Sequence, residues 1–320
     1  MPDSHLHSSP ATPALLCADN AVYLPTVPDA SVALTVSSPP YNVGKDYEDT
    51  LTLSAYVTSI VPVIAQLWRV TQDGGSVCWQ TGNMIDCGEV IPLDVIFYPI
   101  FKQFGFKLRN RIVWHYEHGL HPRRRLANRH ETILWFTKGD AYNFDVDPVR
   151  VPQKYPGKRH FKGPNRGELS GNPLGKNPGD VWIFPNVKSA HPEKTAHPAQ
   201  FPVELAERCV LSMTRPGDTV LDPFAGTGTT LIAATKHGRI GIGCECRPDY
   251  VAIGLDRLSQ LAAGTLAMRP MERAIMTPAG KLATPAWKAS PATAPDETRV
   301  PLVNAVPSIT SAVAVDLSEG

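Results

Sequence analysis

The stretch "DTVLDPFAGTGTTLIAATKHGRIGIGCECRPDY", residues 218–250, decides the fold. Its order predicts a short strand, a glycine turn, a helix and a second strand. Gly226 and Gly228 allow the backbone to turn tightly and to approach a ligand closely. Glu245 follows Gly226 by 19 residues, at the predicted end of the second strand. An acid in that place can accept hydrogen bonds from both hydroxyls of a ribose, which indicates a nucleoside cofactor.

The same stretch restricts the kind of nucleoside cofactor. A dinucleotide fingerprint requires a third glycine three residues after Gly228, and Leu231 stands there instead. No Gly-Lys-Ser/Thr follows the turn, so a nucleotide-binding loop of the Walker type is also absent from the sequence. A loop that binds a pyrophosphate is therefore disfavoured. A nicotinamide-dependent dehydrogenase, which needs such a loop, is disfavoured for the same reason.

Outside this stretch, apolar segments alternate with helix-like segments. The alternation predicts an α/β fold with a doubly wound, mostly parallel sheet covered on both faces. Pro62 should kink or split the first long helix. The predicted strands are 32–36, 76–81, 111–116, 131–136, 219–224 and 239–245, and the predicted helices are 53–71, 203–214, 229–238 and 248–264.

A second motif, "SPPY" at residues 38–41, follows the apolar run "VALTV" directly and resembles the catalytic motif of DNA amino-methyltransferases, which implies the chemistry below. An exocyclic amine on a nucleobase is a poor nucleophile because its lone pair is delocalised into the ring. Hydrogen bonds from its two N–H groups to the Ser38 hydroxyl and the Pro39 carbonyl would favour a pyramidal nitrogen with the lone pair free. Proline fixes φ and so holds that carbonyl in place. Tyr41 offers a ring on which a base flipped out of a duplex can stack.

These motifs resemble those of a known family. "DPFAGTG" resembles the S-adenosyl-L-methionine turn of class I methyltransferases, and "SPPY" resembles the catalytic motif of DNA amino-methyltransferases. The catalytic motif precedes the cofactor turn, which is similar to the permuted β group of that family, over roughly residues 14–262. In "RHETILWFTKG", the resemblance places Glu131 near the target pocket.

The resemblance implies S-adenosyl-L-methionine as cofactor and assigns roles to individual residues; no metal site is expected. "CADNAVYLPTVPDASV" and "HPAQFPVELAERCV" resemble the segments that contact the adenine and cover the methionine part. The catalytic residues are then Ser38, Pro39, Pro40 and Tyr41. The cofactor-binding residues are Asp19, Phe201, Asp222, Phe224, Gly226, Gly228, Thr229 and Glu245.

Two basic runs flank the motif strands, at 121–130 and within 151–180. The net charge is only +1, so binding to nucleic acid must rest on such local clusters. They fit contacts to phosphates and base edges of double-stranded DNA. The candidate DNA-binding residues are Arg123, Arg124, Arg125, Arg129, Lys158, Arg159, Lys162 and Arg166.

The predicted function is transfer of a methyl group to the exocyclic N4 amine of a flipped-out cytosine, because the Ser-Pro-Pro-Tyr form of the motif is mostly found in cytosine-N4 enzymes. An adenine-N6 methyltransferase is the alternative. From other classes, a protein glutamine methyltransferase has the reverse motif order, and a non-catalytic DNA-binding protein would not need both motifs intact. A homodimer and a cognate restriction endonuclease are candidate partners.

Composition predicts the domain limits. Residues 1–13 are expected to form a flexible tail, 14–265 the catalytic domain with a recognition insert at 140–195, and 266–320 an Ala/Pro/Thr-rich disordered tail. The six cysteines show no framework spacing and are expected to be reduced thiols. With no signal peptide or apolar run of membrane-spanning length expected, we predict a cytoplasmic, nucleoid-associated protein.

Overall fold

The computed structural model describes residues 13–44, 51–119, 121–155, 157–188 and 190–271. Most of both predicted tails, residues 1–12 and 272–320, lies outside the described residues. Residues 266–271 are described and belong to the domain, since Arg269 is buried and its backbone N–H donates to Glu193 Oε1 over 3.1 Å. The predicted domain limits stay predictions.

Ten strands are present in the described residues. β1 to β5 are Ala14–Cys17, Val32–Ser37, Thr71–Thr81, Asn83–Asp86 and Glu89–Pro92. β6 to β10 are Lys107–His115, His130–Thr137, Val181–Ile183, Thr219–Asp222 and Ile240–Glu245. Six α-helices accompany them, α1 to α6, at Asn20–Tyr23, Leu53–Val70, Leu93–Gln103, Val203–Met213, Thr229–Lys236 and Pro248–Ala262.

Eight of these strands form one sheet in the order β1-β10-β9-β2-β3-β7-β6-β8. The pairs from β1 to β3 are all parallel, β7 is antiparallel to both of its neighbours, and β8 is parallel to β6. Only β7 thus runs against the other seven strands of the sheet. β4 and β5 form a separate two-stranded hairpin. The predicted fold class, a doubly wound and mostly parallel α/β sheet, is confirmed.

The strand order reverses between β9 and β2. From β9 the chain proceeds through α5 to β10 on one side, and from β2 it proceeds through α2 to β3 on the other. Ligands of open α/β sheets bind at such a switch point, beyond the carboxyl ends of the strands. "SPPY" follows β2 and "PFAGTG" follows β9, so both motifs are brought to this place although they are more than 180 residues apart in sequence.

Two apolar clusters cover the two faces of the sheet. One contains residues of α4 and α5, such as Leu205 and Leu231, and the other contains residues of α2 and α3, such as Ile64 and Phe97. In the second cluster, the Phe101 and Phe136 rings stack with centroids 4.4 Å apart. The central strands β2 and β9 are buried nearly throughout, as expected for strands covered on both faces.

The helix α2 differs from its prediction in one respect. It continues through Pro62 as one 18-residue element, so the predicted split does not occur. Pro62 and Thr58 both lie on the exposed side of the helix, where water can replace the hydrogen bond that proline cannot donate. By length and composition α2 is apolar enough to cross a membrane, contrary to our expectation, but Ile60, Ile64 and Leu67 are buried against the sheet.

Candidate active site

A cavity of about 770 Å³ lies at the carboxyl ends of β2, β3, β9 and β10. Its walls come from the glycine turn on one side and from the "SPPY" turn on the other, and Glu131 of β7 contributes from the far side. A volume of this size is in the range of small-molecule and cofactor pockets. Both sequence motifs therefore open into one cavity.

The glycine turn has the backbone geometry that its sequence predicts. Gly226 and Gly228 have φ values of +50° and +75°, in the left-handed region that favours glycine. Gly228 is the residue that precedes the first turn of α5, and it packs close to Gly254 of α6, where an added Cβ on Gly254 would lie 3.5 Å from the Gly228 nitrogen. Gly226 lines the cavity, whereas Gly228 does not and acts through the shape of the turn.

Glu245 holds the turn and faces the cavity. Its Oε2 accepts a hydrogen bond of 3.0 Å from the Gly226 backbone N–H, and its Oε1 accepts one of 2.9 Å from the Arg247 backbone N–H. Oε2 has a further lone pair for a ligand, whereas Oε1 also accepts the Cys246 thiol, a weak donor, over 3.4 Å. The position of this acid beside the turn fits the predicted binding of two ribose hydroxyls.

Four other predicted cofactor residues, Asp19, Phe201, Phe224 and Thr229, also line the cavity. Asp19 additionally caps α1, because its Oδ1 accepts the Ala21 N–H over 2.7 Å. Acidic, aromatic and hydroxyl groups thus surround the glycine turn, which is the mixture that a nucleoside with an amino-acid chain requires.

Asp222 is the exception among the predicted cofactor residues. It is buried beneath the turn and does not line the cavity. Its Oδ1 accepts hydrogen bonds from Ser37 Oγ at 2.7 Å and from the Phe224 N–H at 3.1 Å, and its Oδ2 accepts one from Thr230 Oγ1 at 2.8 Å. Burial raises the pKa of Asp222 to about 6 and these donors oppose the rise. The Asp222 carboxylate thus joins two turns, and its predicted contact with the cofactor stays a prediction.

In the catalytic turn, a chain of hydrogen bonds begins at Ser38. Ser38 Oγ lies 2.9 Å from the Tyr41 hydroxyl, and that hydroxyl donates to Glu131 Oε2 over 2.9 Å. Tyr41 has one hydroxyl proton, which it uses in the hydrogen bond to Glu131. The hydrogen bond between Ser38 and Tyr41 is therefore donated by Ser38. Burial and the neighbouring Glu131 raise the pKa of Tyr41 well above its usual value, which keeps the phenol protonated.

The other end of the "SPPY" turn is fixed as well. The Tyr56 hydroxyl donates to the Pro40 carbonyl over 2.6 Å. Ser38, Pro39, Pro40 and Tyr41 all line the cavity. The Tyr41 ring lies against Gly82, where an added Cβ would stand 2.9 Å from the ring. The turn is thus held by partners from two other elements before any substrate arrives.

Sequence reasoning missed two residues around Glu131. Gln80 Nε2 donates to Glu131 Oε2 over 2.7 Å, and the Tyr116 hydroxyl donates to Oε1 over 3.3 Å. Gln80 is buried, and its carbonyl Oε1 has no hydrogen-bond partner among the described residues. The signal available in sequence was its place, a long polar side chain near the end of the strand after the catalytic strand. Both residues line the cavity.

His197 is a third residue that the sequence did not single out. It lines the cavity, and its Nε2 would lie 3.4 Å from a Cβ added to Gly226. Its Nδ1 accepts the Ala199 N–H over 3.2 Å, so a neutral ring carries its proton on Nε2. Burial, with a smaller contribution from nearby Lys194, lowers the pKa of His197 to about 4, and the ring is neutral near pH 7.

The predicted DNA-binding residues divide into three groups. Arg125 lines the mouth of the cavity, and Arg123 and Arg124 beside it are exposed. Arg129 is half-buried and donates from Nη1 to the Asn128 carbonyl over 2.8 Å, so it shapes the loop. The exposed cations of the predicted insert do not line the cavity; they are Lys158, Arg159, Lys162 and Arg166. Their contacts with DNA stay predictions.

Comparison with known proteins identifies the family. The family model described as "DNA methylase", which covers N6 and N4 enzymes, matches residues 32–256. The chain belongs to this DNA methylase family. In the part of the chain that the structure describes, no group of three His, Cys, Asp or Glu side chains comes together as a metal site.

Individual relatives agree with this assignment. The type II methyltransferase M.BglII of Bacillus subtilis is 52% identical over 234 residues, which are 73% of this chain and 65% of that protein, so the match spans just under two thirds of its length. The DNA adenine methyltransferase YhdJ of Escherichia coli K12 is 32% identical over 75% of this chain and 80% of its own. The solved DNA modification methylase of Thermus thermophilus, complexed with S-adenosyl-L-methionine, matches with a TM-score of 0.57 and 28% identity, covering 83% of this chain and 100% of that one.

The predicted membership of a DNA amino-methyltransferase family and the class I methyltransferase fold are confirmed. The predicted cofactor agrees with the solved Thermus relative. The family model includes N6 and N4 enzymes, so it does not distinguish the two target amines. The homodimer, the restriction endonuclease partner and the cytoplasmic, nucleoid-associated location stay predictions.

Proposed function

We propose that this protein transfers a methyl group from S-adenosyl-L-methionine to the exocyclic N4 amine of a cytosine flipped out of double-stranded DNA. The observation that carries the proposal is the hydrogen-bond chain Ser38–Tyr41–Glu131, which faces the glycine turn across one cavity. The alternative target within the same reaction is the N6 amine of adenine.

The direction of the hydrogen-bond chain gives Ser38 its chemical role. Because Ser38 donates its proton to Tyr41, both lone pairs on Oγ are available to accept N–H bonds from a target amine. Glu131 fixes this direction, since a carboxylate only accepts. A hydroxyl that must accept favours the pyramidal nitrogen whose lone pair is free to react. Glu131 thus acts through Tyr41 as a positioning residue.

A second acceptor is needed for the other amine proton. The Pro39 carbonyl stands in a turn that Tyr56 holds by its bond to the next carbonyl, that of Pro40.

The cofactor fits the side of the cavity that Glu245 and the glycine turn form. Glu245 would hold the ribose hydroxyls, Asp19 would lie at the adenine, and Phe201 would cover the methionine part. His197 can donate from Nε2 beside Gly226. When bound there, S-adenosyl-L-methionine supplies a methyl group on a positively charged sulfur. The residues around it provide positioning, which is the main requirement of an in-line group transfer.

The proton of the reacting amine has no strong base beside it. Ser38 has no His or Asp adjacent in sequence, and Tyr41 is held protonated by its raised pKa. We infer that the proton leaves after methyl transfer, to water, once the nitrogen has become acidic. The site therefore works by holding the amine rather than by deprotonating it first.

The choice of cytosine rests on the Ser form of the catalytic motif. The relative YhdJ, named an adenine methyltransferase, favours adenine as the alternative. Ser38, which acts as an acceptor here, does not separate the two amines, so the rest of the pocket must select by shape and by the remaining base edge.

The test is to methylate plasmid DNA with the purified protein, digest it to nucleosides and separate them by liquid chromatography with mass detection. N4-methylcytosine is the expected product, and Ser38→Ala should abolish most of it while the affinity for the cofactor stays near wild type. N6-methyladenine alone would overturn the cytosine assignment and leave the cofactor site intact. Absence of any methylated base with wild-type protein would overturn the proposed function.

A further inference from the structure

A loop at the mouth of the cavity carries one leucine among arginines. Residues 122–129 read "PRRRLANR", and none of them belongs to a helix or strand. Leu126 is 94% exposed, the most exposed of the large apolar side chains described. Exposed single leucines are common and carry no meaning alone, so the position of this one decides its interpretation.

The position of Leu126 is set by its neighbours. Pro122, Arg125 and Asn128 line the cavity, so the leucine stands between two rim residues. The loop is connected to another segment behind it, because Asn83 Nδ2 donates to Asn128 Oδ1 over 3.3 Å, and Arg129 Nη1 donates to the adjacent Asn128 carbonyl over 2.8 Å within the loop. A highly exposed apolar side chain therefore projects beside the entrance.

The positive charges next to Leu126 are suited to binding a DNA duplex. Arg123, Arg124 and Arg125 precede the leucine directly and all are exposed. Guanidinium groups in such a run bind phosphates on the strand backbone. If the phosphates on both sides of a target nucleotide are held there, the apolar side chain between the cations faces the base stack. Nothing polar on Leu126 can read a base, so its contribution must be to stacking.

Base extraction creates the space that such a side chain fills. Turning a nucleotide out of a duplex leaves a gap in the stack, and the duplex recloses unless something occupies it. Apolar wedges, leucine among them, insert between base steps in other DNA-binding proteins. We propose that Leu126 enters the duplex at the position vacated by the target base and holds it open while that base lies in the cavity. This inference rests on the proposed function.

Phe161 is the competing candidate. It is 82% exposed and lies within the predicted recognition insert, between the cations Arg159 and Lys162. The residues around it form a short antiparallel bridge, Arg159 with Leu169, and none of them lines the cavity. A wedge must act beside the flipped base, so the structure favours Leu126. Phe161 is a matched control of the same kind: an exposed apolar residue among cations.

The experiment uses short duplexes that contain the methylated site, mapped beforehand by modified-base sequencing of plasmid DNA treated with wild-type protein. One duplex has the target base correctly paired. The second has the same target base opposite a mismatch, so that it is already partly unstacked and costs less to flip. Methyl transfer is measured in single turnover for wild type, Leu126→Ala, Leu126→Met and Phe161→Ala.

We expect Leu126→Ala to lower the rate on the paired duplex by about 10- to 100-fold, because the unstacking is no longer compensated. On the mismatched duplex the loss should shrink to about threefold or less, and Leu126→Met should restore most of the rate on both. Phe161→Ala should show no difference between the two duplexes. Cofactor affinity should stay at the wild-type value, because Leu126 lies outside the cofactor side of the cavity.

Two results would overturn the inference. One is a Leu126→Ala variant that methylates the paired duplex at the wild-type rate. The other is an equal loss on paired and mismatched duplexes, which would make Leu126 a general binding contact. A mismatch-dependent effect at Phe161 would move the wedge to the insert. Failure of wild-type protein to methylate either duplex would instead refute the proposed function itself.

Discussion

Replacing Glu245 by alanine tests the cofactor site most directly. In the wild type its two carboxylate oxygens accept the N–H groups of Gly226 and Arg247. Oε2 keeps a lone pair for the ribose, and at Oε1 a ribose hydroxyl would replace the weak bond from the Cys246 thiol. The alanine variant loses the ribose bonds and leaves the Gly226 N–H, on which the shape of the turn depends, without its acceptor. Each lost bond of this kind is worth about 1–3 kcal/mol when a partner is left unpaired.

These losses overlap, so they do not simply add. We expect a net loss of about 2–4 kcal/mol in cofactor binding, which is about 30- to 1000-fold in Kd. Isothermal titration of S-adenosyl-L-methionine gives the value. S-adenosyl-L-homocysteine has the same ribose and lacks only the methyl group, so its affinity should fall by the same factor. Equal losses for both ligands would show that the effect does not arise at the methyl group or the sulfonium charge, as expected for a contact to the ribose.

A matched control is available on α6. Asp256 is an exposed acid that accepts from Gln260 and does not line the cavity, so Asp256→Ala should bind both ligands as wild type does. Circular dichroism and thermal unfolding of Glu245→Ala show whether the domain remains folded. A folded Glu245→Ala variant with a Kd within about twofold of wild type would refute the assignment of Glu245 to the cofactor.

Three further predictions follow from the same cavity. Gly82→Ala places a methyl group 2.9 Å from the Tyr41 ring, so turnover should fall at least about tenfold while calorimetric cofactor affinity is unchanged; unaltered turnover would contradict the ring position. Tyr41→Phe keeps the ring but frees the Ser38 proton to point elsewhere, so kcat should fall more than DNA affinity, and a wild-type kcat would show that Glu131 does not act through Tyr41. The pKa of His197 is lowered to about 4, so its contribution to stability is present above its ordinary pKa of 6.5 and is lost as the pH falls. The free energy of unfolding from chemical denaturation should fall between pH 7 and pH 5 by about 2 kcal/mol more in wild type than in His197→Asn. An equal fall in both proteins would mean that the ring is exposed to water.

Much of the fold was predictable because its signals are local. Strands such as 131–136 and helices such as 229–238 are marked by residue type and periodicity within a few residues. The glycine turn is predictable for the same reason, since positive φ at Gly226 and Gly228 requires that residue type. Of the kink or split predicted at Pro62, the split does not occur. The effect of a proline depends on whether the carbonyl that loses its hydrogen bond faces water, and packing decides that.

The contacts that sequence did not reveal are long-range. Asp222 follows a strand and precedes a glycine turn, as a cofactor ligand would in any such motif, yet its partner Ser37 lies 185 residues away. Gln80 looks like one polar residue at the end of an apolar strand, and it acquires meaning only beside Glu131, 51 residues further on. Sequence shows which side chains carry chemistry, but the direction in which each one points is set by the sheet.

The bond between Ser37 and Asp222 explains how two motifs so far apart can form one precise site. Thr230, in the first turn of α5, donates its single hydroxyl proton to Asp222 Oδ2 over 2.8 Å, and the same oxygen lies 3.0 Å from the Val36 carbonyl of β2. The strand that ends in the catalytic turn and the helix that begins at the cofactor turn are therefore joined through one buried carboxylate. Group transfer depends on sub-ångström placement of the two reacting atoms. An acid withdrawn from the cavity thus contributes to the reaction by fixing the distance between the residues that hold the amine and the residues that would hold the methyl donor.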